Sequence, residues 1–229
     1  NKCVEVKVME LRHNLLECSF VDAIEWFKQT DTVIVPIGSC EKHGAHLVLG
    51  TDSYTTINVT ERAAKLANVP HTPLEPFGYS PHHMGRCGEG CGTITLSGNT
   101  YRAMLTDIAR SLIYHGASKI IFVTHHGSNT KPIDEFMRQI RYKYGAFVCF
   151  YKTPTERECE VVKGILEGPP EETPGWHAGE METAQVMAHD MSLVHMERAV
   201  NDRAHAPAWM GPNFSKIDGT ATVKFRGSE

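Results

Sequence analysis

The chain has 229 residues, enough for one large domain with a full hydrophobic core. Its 41% hydrophobic and 22% charged residues are ordinary for a globular protein, and a net charge of −4 argues against a broad nucleic-acid surface. No run of 18 or more apolar residues occurs, so no membrane span is expected.

The N-terminal stretch "NKCVEVKVMELRHNLLECSF" lacks the uninterrupted apolar core of a signal peptide. The seven cysteines are odd in number and scattered, in a chain too large to need disulfides, which predicts a reducing, cytoplasmic setting. Cys87 and Cys91 form a C-x3-C with no second pair, which reads as a glycine-rich loop rather than a zinc knuckle.

In chain order, "VDAIEWFKQ" (21–29) reads as a short amphipathic helix and "TVIVPI" (32–37) as a buried strand. Helical periodicity returns over 53–68, and more clearly over 99–117, with Asn99 as N-cap and a glycine near the end. "KIIFVTHH" (119–126) is a second buried strand. The spacing predicts a helix over 131–145, with Pro132 in its first turn, and a third strand over 146–152. A last helix runs to about Asp190. Strands alternating with helices predict a parallel sheet flanked by helices, in which ligands collect beyond the carboxyl ends of the strands. Residues 1–229 are expected to form a single domain.

Two strand ends carry chemistry. "GSCEKHGAHLVLGTD" (38–52) leaves the first strand with Glu41 and His43 two apart, so that in extended backbone both side chains point one way. Asp52 opens the next helix, where a carboxylate either caps orphan N–H groups or binds a cation. His126 ends the second strand. Its neighbour His125 is expected to point the opposite way, in a structural role. "GWHAGEMETAQVMAHD" places His177, Glu180 and Glu182 at the start of the last helix, where Glu180 also suits the helix dipole. Mixed nitrogen and oxygen donors suit zinc, manganese or cobalt rather than a closed structural zinc site. Two such ions roughly 3.5–4 Å apart would bridge a water and lower its pKa towards ~7.

These segments resemble the creatininase family. "PIGSCEKHGAHLVLGTD" is similar to its glycine-serine-x-glutamate-x-histidine-glycine-x-histidine-leucine signature running on to threonine-aspartate. "THHGSN" resembles its asparagine-glycine-histidine-glycine-glycine-asparagine turn, and "HAGEMET" its histidine-alanine-glycine…glutamate-threonine motif. "SPHHMG" and "GTITLSGNTY" match between them, so that the resemblance runs from about Ala23 to Asp190. It implies an α/β three-layer sandwich with a mostly parallel central sheet, a metal-dependent amidohydrolase with two divalent ions (zinc or manganese, with iron or cobalt as alternatives), and a homohexamer. Carried over by position, Glu41, Asp52 and His126 would hold one ion and His43, Asp52 and Glu182 the other. His177 would move a proton to the leaving group, and His46 would lie behind the ligands. His83, Arg86, Glu89, Ser128, Trp176 and Glu180 are further candidates for supporting the site or touching substrate.

The chain departs from the creatinine-hydrolysing members. Gly127 and Ser128 stand where those have tyrosine and glutamate, and Thr173 where they have a substrate-covering tryptophan, with Trp176 beside His177 instead. "LVL" replaces leucine-proline-leucine, and "GRCGEGCGT" a shorter phenylalanine-proline-glycine-threonine. Metal chemistry is therefore expected and creatinine is not. The expected reaction is hydrolysis of a C–N bond in a small polar cyclic amide or formamide by metal-bound hydroxide. The alternatives are C–C ring opening of an oxidised inositol, a non-catalytic metal-binding module, and a mononuclear iron oxygenase.

Overall fold

The computed structural model describes residues 11–84, 90–152, 164–165, 177–206 and 221–226. Arg86, Cys87, Glu89, Thr173 and Trp176 lie outside these residues.

Three strands, β1 (Thr32–Pro36), β2 (Lys119–Thr124) and β3 (Phe147–Lys152), form a parallel sheet in the order β1-β2-β3, with Val33 opposite Ile120 and Ile120 opposite Val148. Parallel strands covered on both faces read as continuous apolar runs, which "TVIV" and "KIIFV" are. The two faces divide by alternation. Val33, Val35, Ile120 and Phe122 pack against α3 (Gly98–Tyr114) and α4 (Asp134–Tyr144) through Tyr101, Leu105, Ala109, Phe136 and Ile140. Ile34, Ile121 and Val123 face α2 (Thr51–Ala67) through Val59, Ala63 and Ala64. Helices on both faces of a parallel sheet make the α/β sandwich expected from the sequence.

Local chemistry explains where the elements begin and end. α1 (Phe20–Gln29) opens with a reciprocal capping box: Ser19 accepts from the Asp22 N–H while Asp22 accepts from the Ser19 N–H. α4 ends at Gly145, whose φ of 69° is strained for any residue with a Cβ. Two expected starts shift. Ser97, not Asn99, caps α3, accepting from the Thr100 N–H. Pro132 precedes α4 instead of sitting in its first turn, because residues Gly127–Thr130 first make a 3-10 turn. The sequence reading also passed over residues 71–75. They lie parallel beside β1, bridged at His71 to Ile34 and Glu75 to Ile37. Prolines at 70, 73 and 76 mask this strand-like segment, and such residues are tolerated only at a sheet edge.

α5 (Glu180–His189) packs on α2, and β4 (Asn201–Ala206) pairs antiparallel with β5 (Ala221–Arg226) apart from the central sheet. Among the described residues no helix is long and apolar enough to cross a membrane.

Candidate metal centre

The carboxyl ends of β1 and β2 and the first turns of α2 and α5 meet at one point. Glu41 and His43 follow β1, His126 follows β2, Asp52 stands in the first turn of α2 and Glu182 in that of α5. All five are buried, as is His177 just ahead of α5. Asp52 caps nothing: Gly50 occupies the N-cap of α2 without a side-chain bond, and the Asp52 carboxylate turns to Ser39 and the histidines instead.

Histidine tautomers follow from hydrogen bonds whose direction is unambiguous. His43 Nδ1 donates to the Glu41 carbonyl at 3.1 Å, leaving its Nε2 lone pair 3.6 Å from Glu41 Oε1, 3.6 Å from Asp52 Oδ2 and 3.8 Å from Glu182 Oε2. His126 Nε2 donates to the Tyr79 carbonyl at 3.1 Å, with Ser80 Oγ also at 3.1 Å. Its Nδ1 lone pair then faces Glu41 Oε1 at 3.2 Å and Asp52 Oδ2 at 3.1 Å. Lone pairs aimed at carboxylates repel unless a proton or a metal ion lies between them.

The titration shifts express the same crowding. Burial opposes charge on His43 and on His126, but the surrounding carboxylates outweigh it and raise both. Burial likewise opposes charge on Asp52, and His43 and His126 reverse it and hold its carboxyl well below the usual range. Glu41 Oε2 and His43 Nε2 are buried with no hydrogen-bond partner. Ion-pair contacts of Glu41, Asp52 and Glu182 among the described residues are all with histidines. Three buried carboxylates with no Lys or Arg paired to them among the described residues are costly unless cations join them. The donor atoms form the sets Glu41–Asp52–His126 and His43–Asp52–Glu182, each within 4.8 Å, and the same distance groups Glu41, His43 and His177. Mixed N/O sets of this kind suit divalent transition metals.

Supporting groups hold the donors in place. Ser39 Oγ donates to Asp52 Oδ2 at 2.6 Å, and the Ala178 N–H to Glu182 Oε2 at 2.5 Å. Ala178 adopts φ 49°, a left-handed conformation costing a non-glycine residue about 1–2 kcal/mol. Strain of this kind collects at functional sites. His46 Nε2 meets Thr183 Oγ1 at 3.1 Å, behind the site. The His177 ring lies between those of His43, 4.3 Å away, and His83, 4.2 Å away and stacked at 29°. Its Nε2 is buried without a hydrogen-bond partner, its Nδ1 lies 3.8 Å from Glu41 Oε1, and burial with His43 and His83 nearby pushes its pKa well below the ordinary histidine value. His83 Nε2 is 3.7 Å from Glu41 Oε1. Ser128 lies in the turn beyond His126, and Glu180 is the first residue of α5, outside the three donor sets.

One expectation fails. His125 does not turn to the opposite side: its Nε2 lies 3.5 Å from Glu182 Oε1, with a side chain only 5% exposed. β2 ends at Thr124, so strand alternation no longer governs the next residue. Sequence reading also missed Ser39 and Ser80. Their signal was their place inside the quoted motifs, but nothing in a linear chain says which donor a hydroxyl will reach.

Comparison with known proteins agrees with this geometry. The creatininase family model, described as creatinine amidohydrolase, matches residues 17–226. Creatinine amidohydrolase of Pseudomonas putida is 29% identical over 191 residues, 79% of this chain and 71% of that protein. The 3-dehydro-scyllo-inosose hydrolase of Thermotoga maritima is 29% identical over 188 residues, 77% of this chain and 56% of that protein. A mycofactocin precursor peptide peptidase of Mycobacterium ulcerans is 31% identical over 115 residues, 48% of this chain and 46% of that protein. The chain thus spans about half the length of the last two relatives. A crystal structure of creatininase matches the fold with a TM-score of 0.74 at 24% identity, covering 93% of this chain and 88% of that one. A Zn–Zn-type creatininase mutant matches with a TM-score of 0.73 at 24% identity, covering the same 93% and 88%. A family match over nearly the whole chain, on the family's fold, shows that the chain belongs to the creatininase family of metal-dependent hydrolases.

Proposed function

We propose that this chain binds two divalent metal ions and hydrolyses a C–N bond in a small polar substrate, of the cyclic amide or formamide class. The observation that carries this reading is the pair of histidine lone pairs, His43 Nε2 and His126 Nδ1, held by backbone carbonyls so that they face buried carboxylates. Glu41, Asp52 and His126 would hold one ion and His43, Asp52 and Glu182 the other, with Asp52 shared. Ions bound there supply a polarised carbonyl oxygen and a water of lowered pKa.

The protein's own part is proton handling and positioning. His177 is neutral near pH 7 and presents an unpartnered Nε2 to the interior. That atom is placed to accept a proton and pass it to a leaving nitrogen. The His83 and His43 rings on either side hold its plane. Two of the named relatives are an amidohydrolase and a peptidase, which supports C–N cleavage; the inosose hydrolase keeps ring opening as the second reading. Gly127 and Ser128, in place of the tyrosine and glutamate of creatinine-hydrolysing members, argue against creatinine as substrate.

Metal analysis of purified protein, beside a screen of cyclic amides, formamides and cyclic polyol ketones with added Mn²⁺ or Zn²⁺, tests this directly. Two ions per wild-type chain, lost together with turnover in Asp52→Ala, are expected. A metal content unchanged by Asp52→Ala would sink the proposal, and turnover confined to the ketones would replace C–N with C–C cleavage.

A further inference from the structure

We infer that His125 is a positioning residue for the ion held by His43, Asp52 and Glu182, acting through the Glu182 carboxylate. The inference rests on the metal reading above. In the turn that "THHGSN" resembles, this position is a glycine, so the ring is a property of this chain and not of the motif.

The two oxygens of Glu182 are engaged from different elements. Oε2 accepts from the Ala178 N–H at 2.5 Å and faces His43 Nε2 at 3.8 Å, while Oε1 faces His125 Nε2 at 3.5 Å. His125 is fixed in its turn, because its backbone N–H donates to the Thr56 hydroxyl of α2 at 2.9 Å. Thr56 is itself fully buried. A ring held at the end of β2 thus reaches across to the first turn of α5 and meets the Glu182 oxygen that Ala178 does not hold. His125 is outside the donor sets themselves, so it orients a ligand instead of supplying one. Groups behind a metal ligand set its orientation, and losing one typically weakens metal binding about 10–100-fold. The Glu41–Asp52–His126 set has its own supports, Ser39 on Asp52 and Tyr79 with Ser80 on His126.

The test compares wild type with His125→Phe, which keeps a buried ring without a donor, and His125→Gln, which keeps an N–H. Stepwise Zn²⁺ titration by calorimetry and the absorption spectrum of the Co²⁺-loaded protein are read, with thermal unfolding as a check on folding. Expected are one site unchanged and the other weakened about 10–100-fold in His125→Phe, with an altered Co²⁺ spectrum, and near-wild-type behaviour restored in His125→Gln. Wild-type affinities and spectrum in a folded His125→Phe would overturn the inference, as would equal weakening at both sites. Should His125→Phe not fold, His125→Gln decides alone: retained affinity at both sites supports the role, and lost affinity despite the N–H refutes it. Fewer than two ions in the wild type would instead overturn the reading of the whole centre.

Discussion

A histidine's usefulness at this site depends on which nitrogen is left free, and backbone carbonyls make that choice. The Glu41 carbonyl frees His43 Nε2 and the Tyr79 carbonyl frees His126 Nδ1, while His177 Nε2 is buried without a hydrogen-bond partner. The first two lone pairs face carboxylates at 3.1–3.8 Å, the arrangement proposed to hold metal, and His177 Nε2 is the atom proposed to carry the proton. His177→Gln is therefore expected to retain both ions while lowering kcat about 10²–10⁴-fold. Metal content together with single-turnover rates checks it, and loss of an ion in that variant would make His177 a ligand instead. At this scale Glu41, His43 and Asp52 were legible because they crowd into one short motif. The choice between capping and cation binding at Asp52 was not, because it turned on Gly50 holding the N-cap position.

Between elements, the site depends on how closely the strand ends approach one another. Asn129, fully buried in the turn after His126, donates from Nδ2 to the Gly38 carbonyl at 2.9 Å and to Thr124 Oγ1 at 3.0 Å. Its Oδ1 accepts from the Tyr79 N–H at 2.8 Å. One amide thus ties the segments after β1, before the Pro81–Met84 turn and after β2. The fit leaves no room, since a Cβ on Gly78 would lie 2.7 Å from the Gly38 carbonyl. Removing the amide strands a buried N–H and a buried carbonyl, so Asn129→Ala is expected to cost about 2–4 kcal/mol. Urea unfolding measures this, and a loss under about 1 kcal/mol would show that water replaces the side chain without difficulty. The elements themselves were largely readable, because β-branched runs and helical periodicity are local. The pairing of residues 71–75 was not, since prolines hide the pattern and their backbone is satisfied by β1 on one side and, at His71, by His13 and Leu15 on the other.

For the molecule as a whole, folding and metal binding are linked through the same protons. In the metal-free protein His43 and His126 have raised pKa values, so the stability they contribute is full below their unfolded value near ~6.5 and fades as pH rises through the folded value. Metal ions displace those protons, so metal affinity rises over the same range. The gap in Tm between metal-loaded and chelator-treated protein is therefore expected to widen from pH 6 to pH 8. Saturation at a hundred times Kd would add about 2.7 kcal/mol per site. Scanning calorimetry at both pH values checks this, and a gap that narrowed with pH would contradict the tautomers assigned to the two histidines.

The amino-acid sequence alone determined the alternating α/β order, the family motifs and the candidate donors. These follow from short-range periodicity and from residue types that have few other uses side by side. Tertiary structure alone decided that the candidate donors lie within 4.8 Å of one another, which nitrogen of His43 and of His126 is free, and that His125 turns toward Glu182, 57 positions along the chain. Those outcomes depend on where β1, β2, α2 and α5 cross, and a crossing point is set by packing over the whole core.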